Sequence, residues 1–218
     1  MPPALGPQLS PAMPLVEVLE QDTEYQGYVR VDVYSIRTRN FNGDWSEPYR
    51  RDIVATGESG HATAALLYEP ESDSVLLIEQ FRMVNFLNTP ERAWQLELVA
   101  GLIGIGEEPD NTIRREIIEE AGCETSQIEK ICIFTPSPGV YSERVHLYLA
   151  RLPQGIEAGV HGLASEGENI RGHKMSFAQA LELSDSGFIE DLKTMYALNW
   201  LARRHAAIRQ RWLNSKET

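Results

Sequence analysis

GLIGIGEEPDNTIRREIIEEAGC, residues 101–123, is the stretch whose reading decides the fold. Its second half predicts a helix over about Pro109 to Ala121. Proline lacks an N–H and suits a first helical turn, and Gly122 stands where a C-terminal stop favours glycine. On a helix turning about 100° per residue, Glu116 and Glu120 lie about 40° apart and Glu119 about 60° to the other side of Glu116. Three carboxylates therefore share one face. Like charges at i,i+4 cost a few tenths of a kcal/mol each, and a hard divalent cation with oxygen ligands removes that cost. The planar donor fork of Arg115 can hold one of these carboxylates in a fixed orientation. Gly101 and Gly104 to Gly106 form the lead-in, where backbone must pass close to a metal or a phosphate.

Outward from this helix the pattern is one of short apolar runs ended by turn residues: Ala62–Tyr68, Val75–Phe81, Trp94–Val99, Ile131–Phe134 and Val145–Leu149. They read as buried strands. Apolar residues near helical spacing in Ile189–Leu213 (Leu192, Met195, Leu198, Leu201, Ile208) predict one long amphipathic helix. Upstream, Val29, Val31 and Val33 alternate with Tyr28, Arg30 and Asp32 within Gly27–Thr38, the period of a half-buried strand. Asn42-Gly43 gives a hairpin turn, with Trp45–Thr56 returning as the partner. Residues 15–57 thus read as a small antiparallel lobe, 58–218 as the main domain, and the proline-rich residues 1–14 as a mobile lead-in.

The 218 residues suffice for one domain with a smaller lobe. Twenty Lys+Arg against 32 Asp+Glu give a formal charge of −12. That balance repels phosphate backbones and anionic headgroups, so neither nucleic acid nor membrane is an expected partner. Only Cys123 and Cys132 occur, without a C-x-x-C pair, and no signal-peptide pattern or long apolar stretch is present. A soluble cytoplasmic protein is the expectation.

Residues 101–123 resemble the Nudix box: Gly101, Glu107, Arg115, Glu116, Glu119, Glu120 and Gly122 occupy its fixed positions, and Ile117 its first aliphatic place. The one departure is Cys123 at the last aliphatic place, where cysteine can pack as a small hydrophobe. The resemblance implies an α+β fold, a Nudix α/β/α sandwich with a mixed sheet, preceded here by the small antiparallel β lobe. It also implies a metal-dependent cut of a nucleoside diphosphate compound, with Arg115, Glu116, Glu119 and Glu120 in the catalytic set and the Ala100 carbonyl among the metal ligands.

Residues outside the box resemble the bacterial ADP-ribose pyrophosphatases. SPGVYSER (137–144) is similar to that family's SPG-x-x-SER segment, with Val140 where a second glycine is common. The likeness continues in YQGYVRVDVY (25–34), FNGDWSEPYRRDI (41–53), VLLIEQFR (75–82), QLELVAG (95–101) and HGLASEGENIR (161–171). By this resemblance ADP-ribose is hydrolysed to AMP and ribose 5-phosphate with Mg²⁺, Mn²⁺ being a possible substitute. A homodimer exchanges its N-terminal strands; Tyr28 stacks on adenine, Arg51 and Asp52 reach the partner's nucleotide, and Arg82 and Glu143 hold phosphate or ribose. The late loop supplies Glu166 as general base and Glu168 as a metal ligand, completing a set with Ala100, Glu116 and Glu120. The alternatives are hydrolysis of GDP-mannose or another ADP-sugar, and a non-catalytic ADP-ribose sensor. Against the sensor stand the full set of box carboxylates and the lack of a basic helix-turn-helix segment.

Overall fold

The alternation around Val31 is realised as a strand, β2 (Val29–Thr38), and the chain turns at Asn42-Gly43, where Asn40 N–H donates to the Asp44 carbonyl at 2.7 Å, before returning as β3 (Tyr49–Thr56). The computed structural model describes residues 15–57 and 59–214, with Glu166 described by its backbone alone; the expected lead-in, residues 1–14, lies outside the described residues. A strand that the sequence pattern did not suggest, β1 (Val16–Gln26), pairs antiparallel with β2 from Val16↔Thr38 to Gln26↔Arg30, with two register shifts on the way. All of β1 is exposed, so it has no buried face to impose a hydrophobic alternation. These three strands form one sheet, and Gly139–Ser142 joins their compact unit through hydrogen bonds between Val54 and Val140 and between Ser142 and Val54.

The second compact unit comprises residues 56–138 and 143 onward. Its centre is a hairpin of β4 (His61–Glu69) and β5 (Ser74–Phe81), apolar almost throughout because both faces of the sheet are covered. Ala64, Leu66 and Tyr68 of β4 enter one core and Ala65 and Leu67 the other. The first core is closed by α3 (Phe177–Asp185), α4 (Leu192–Ala202) and α5 (His205–Asn214), the second by α2 (Pro109–Ala121), after a short α1 (Met83–Asn88). The unit is an α/β/α sandwich on a mixed sheet. β9 (Arg144–Arg151) runs parallel to β4 and antiparallel to β8 (Ile128–Phe134), while β11 (Ile170–Ser176) and the short β10 (Val160–His161) extend the other edge.

The β4–β5 hairpin opens into a fork, which shapes the site. The two strands pair only at Leu67–Glu69 with Ser74–Leu76. Beyond that, β6 (Trp94–Glu97) takes β5 and β7 (Val99–Leu102) takes β4. The single strand expected over Trp94–Val99 is therefore two, broken at Leu98, whose side chain is fully buried and whose N–H donates to Thr194 Oγ1 at 3.0 Å. The long helix expected over Ile189–Leu213 is also two. Asp191 caps α4 by accepting from Thr194 N–H at 3.0 Å. α5 starts anew at His205, whose ring stacks on Phe177 with centroids 4.8 Å apart and bonds Asp73 at 2.6 Å. The bend lets Ile208 and Trp212 reach the core. Among the described residues no helix is long and apolar enough to cross a membrane.

Candidate active site

The α2 helix buries Ile113, Ile117 and Ala121 against the sheet, and one-turn neighbours Glu116 and Glu120 lie beside that apolar stripe. The geometry brings both carboxylates out of water: Glu116 is 8% and Glu120 2% exposed. Glu120 Oε2 accepts the Ala100 N–H at 2.8 Å. In the antiparallel β4–β7 pair, Ile103 N–H bonds His61, so the alternation leaves Ala64↔Ala100 as a pair whose N–H and C=O groups point away from each other. The Ala100 carbonyl thus leaves β7 on the same edge as the N–H that meets Glu120. Gly101 is required by close approach, since a Cβ there would lie 2.0 Å from Glu116 Oε1. Gly122 ends α2 in the left-handed region at φ 65°.

Arg115 ties the box together. Its Nη1 lies 2.8 Å from Glu116 Oε1 and donates to Glu119 Oε2 at 2.8 Å, while its Nε reaches Glu107 Oε1 at 3.5 Å. Glu107 accepts the Gly104 N–H at 3.2 Å, so the glycine-rich lead-in is pinned to the helix through a carboxylate and a guanidinium. Burial pushes the Glu116 carboxyl up to about 7, against the pull of Arg115 and with Glu119 and Glu168 adding repulsion. Burial pushes Glu120 up to about 8, moderated by the Ala100 hydrogen bond and increased by the charges of Glu116 and Glu168. Glu168 of the late loop is thus within electrostatic reach of both.

This donor set suits a hard cation: two neighbouring carboxylates whose negative charge is penalised by burial and by mutual repulsion, with a backbone carbonyl on the adjoining strand edge. Among the described residues no three carboxylate, thiol or imidazole side chains converge closely enough to form a complete ligand set by themselves. Glu168 is occupied internally, its Oε2 accepting the Leu163 N–H at 3.1 Å. The side chain of Glu166 lies outside what is described.

Arg82 donates Nε and Nη2 to the two oxygens of Glu97 at 2.6 and 2.9 Å, and Lys193 reaches Glu97 Oε2 at 2.6 Å and Asp191 Oδ1 at 2.8 Å. Burial alone would raise the Glu97 carboxyl, but Lys193 and Arg82 outweigh it and hold the group well below the usual carboxylate range. Sequence reasoning named Arg82 but neither Glu97 nor Lys193. The signal available was a lone acid inside the apolar run Trp94–Val99. Glu143 accepts a short hydrogen bond from Thr56 Oγ1. On the N-terminal unit, Tyr28 is 84% exposed in the turn after β1; Arg51 lies over the Tyr49 ring at 4.4 Å, and Asp52 accepts from Arg50 at 2.7 Å. The structure gathers the box residues, Ala100 and Glu168 around α2, with Arg82 and Glu97 alongside.

Residues 59–195 match the NUDIX domain family. The chain is 39% identical over 197 residues to the ADP-ribose pyrophosphatase of Escherichia coli strain K12, an alignment covering 90% of this chain and 92% of that protein. It is 36% identical over 157 residues to the GDP-mannose pyrophosphatase of Shigella flexneri serotype 5b, covering 72% of this chain and 80% of that one. The crystal structure of an ADP compounds hydrolase shares the fold with a TM-score of 0.65 at 18% identity, covering 92% of this chain and 100% of that one.

Proposed function

The chain belongs to the Nudix hydrolase family, and from that premise we propose that it cuts the pyrophosphate bond of ADP-ribose, with Mg²⁺ as cofactor, to give AMP and ribose 5-phosphate. The observation that carries the choice of substrate is the extent of the similarity to the ADP-ribose pyrophosphatase, which covers 90% of this chain and so runs far beyond the box. Glu116, Glu120, Glu168 and the Ala100 carbonyl would hold divalent metal. When bound, such ions neutralise diphosphate charge and act as Lewis acids. Glu166 takes the proton of the attacking water, and attack on phosphorus breaks the P–O–P bridge. Arg115 keeps Glu116 and Glu119 in a fixed orientation. Arg82 is itself oriented by Glu97 and retains N–H groups to offer an anion, while Glu143 offers an acceptor to a ribose hydroxyl.

The same reading assigns Tyr28, Arg51 and Asp52 to the nucleotide site of the other subunit in a homodimer with exchanged N-terminal strands, and the protein to the cytoplasm. Support for the exchange comes from β1, which leaves Val16 and Val18 exposed at 50% and 56%. Sedimentation tests it: a fully active monomer would require Tyr28 and Arg51 to be reassigned.

A second substrate is favoured by one observation, the similarity to a GDP-mannose pyrophosphatase. Parallel assays decide, following AMP from ADP-ribose and GMP from GDP-mannose in the presence of Mg²⁺. Higher kcat/KM for ADP-ribose is expected. A preference for GDP-mannose overturns the substrate, and tight binding of ADP-ribose without turnover overturns the enzyme in favour of a sensor.

A further inference from the structure

We propose that His161 is a positioning residue: its imidazole, keyed into a slot between Gly122 and Gly159, fixes where the loop of residues 162–169 leaves the sheet and so where Glu168 stands relative to Glu116 and Glu120. The proposal rests on the reading of that loop as the source of a metal ligand.

The slot is built by two absent side chains. A Cβ at Gly122 would lie 2.3 Å from His161 Cε1, and one at Gly159 would lie 2.5 Å from His161 Nε2. Real carbon atoms do not approach so closely, so the ring fills space that any other residue at either position would claim. Gly122 closes α2, the helix that carries the box carboxylates, and Gly159 is held to β11 by the bond from Gly172 N–H to its carbonyl at 2.8 Å. The imidazole therefore wedges the end of the box helix against the sheet edge.

The loop springs from the residue after this wedge. Gly162 N–H donates to the Glu119 carbonyl at 3.1 Å, satisfying one of the last carbonyls of α2. Leu163 and Glu168 then close the loop reciprocally: Leu163 N–H donates to Glu168 Oε2 at 3.1 Å and Glu168 N–H to the Leu163 carbonyl at 3.2 Å. The position of Glu168 is thus transmitted from the wedge through Gly162 and Leu163. A side chain acting this way needs the shape of a flat ring, not its proton.

Three variants, followed by steady-state kinetics and by amide hydrogen exchange, test this. In His161→Ala, kcat should fall roughly 10–100-fold, the scale expected when a catalytic group is misplaced by about 1 Å. KM for ADP-ribose should change less than about threefold, and the Mg²⁺ concentration for half-maximal rate should rise several-fold. Amide hydrogen exchange at Gly162 and Leu163 of the resting protein should quicken at least tenfold, while the middle of α2 keeps its protection. Gly159→Ala, which leaves the histidine in place but fills its slot, should reproduce both effects. His161→Phe should recover most of the rate. Unchanged kcat and exchange in His161→Ala and Gly159→Ala overturn the proposal. So does a His161→Phe variant as inactive as His161→Ala with one limb of the pH profile gone, since the imidazole would then act chemically. If Glu120→Gln proved fully active, the metal-site reading would fall, but the exchange measurements would still decide the role of His161.

Discussion

Replacing Glu120 by Gln should make the metal-free protein more stable at alkaline pH while abolishing its turnover. Glu120 is 2% exposed, and burial raises its carboxyl from 4.5 to about 8. Between those values the folded chain keeps a proton that the unfolded chain has released. The folded state binds more protons, so stability falls as pH rises through this window and levels off above it. At about 1.4 kcal/mol per pH unit the whole window is worth roughly 5 kcal/mol. The share removed by one substitution is smaller, on the order of 2–3 kcal/mol, because Glu116 titrates in the same range and part of the cost is their mutual repulsion. Glutamine retains an oxygen for the Ala100 N–H, so the substitution removes the charge without orphaning that donor. The assay is thermal or urea unfolding of chelator-treated protein from pH 5 to 9. The two proteins should match near pH 5, then diverge, with the variant about 4–12 °C more stable above pH 8. Mg²⁺ should restore the native protein at high pH and leave the variant little changed. Parallel curves with a constant offset, or a variant less stable at pH 8.5, would refute the burial argument; near-native turnover at saturating Mg²⁺ would refute the metal-ligand assignment.

Three other outcomes are expected. Glu166→Gln should lower kcat by roughly 10²–10⁴-fold with little change in KM, whereas Glu168→Gln should raise the Mg²⁺ requirement and recover partly in excess metal; identical titrations for the two would break the division of roles. Gly101→Ala puts a Cβ 2.0 Å from the present position of Glu116 Oε1, so Glu116 must move, and kcat should drop at least tenfold without loss of secondary structure by circular dichroism; native kcat would show that Glu116 needs no fixed place. Glu97→Gln leaves Arg82 and Lys193 facing a neutral amide, which should cost about 3 kcal/mol in urea unfolding, and a change below about 0.5 kcal/mol would mean the buried cluster is structurally idle.

How much of this was legible in the sequence depended on whether the information was local. The α2 helix and its carboxylate face were readable because helix geometry alone relates Glu116 to Glu120 and because Pro109 and Gly122 mark the ends within the same segment. The central strands β4 and β5 were readable because burial on both faces demands continuous apolar sequence. β11 was not, since its sequence IRGHKMS meets the core partly through Lys174, which is paired at 2.7 Å with the buried Glu69 on β4. A lysine inside a strand looks like solvent until its distant partner is known. The break between α4 and α5 was hidden for the same reason: no proline or glycine interrupts Ala202–Ala206, and the bend is set by contacts of His205 with Asp73 and Phe177. In the site, Arg82 could be named by resemblance, but its orienting partner Glu97 is stabilised by Lys193, 96 residues further along the chain. A buried charge is affordable only with its partners in place. Such pairs leave no periodic trace in the sequence, and here they set the direction of the Arg82 guanidinium.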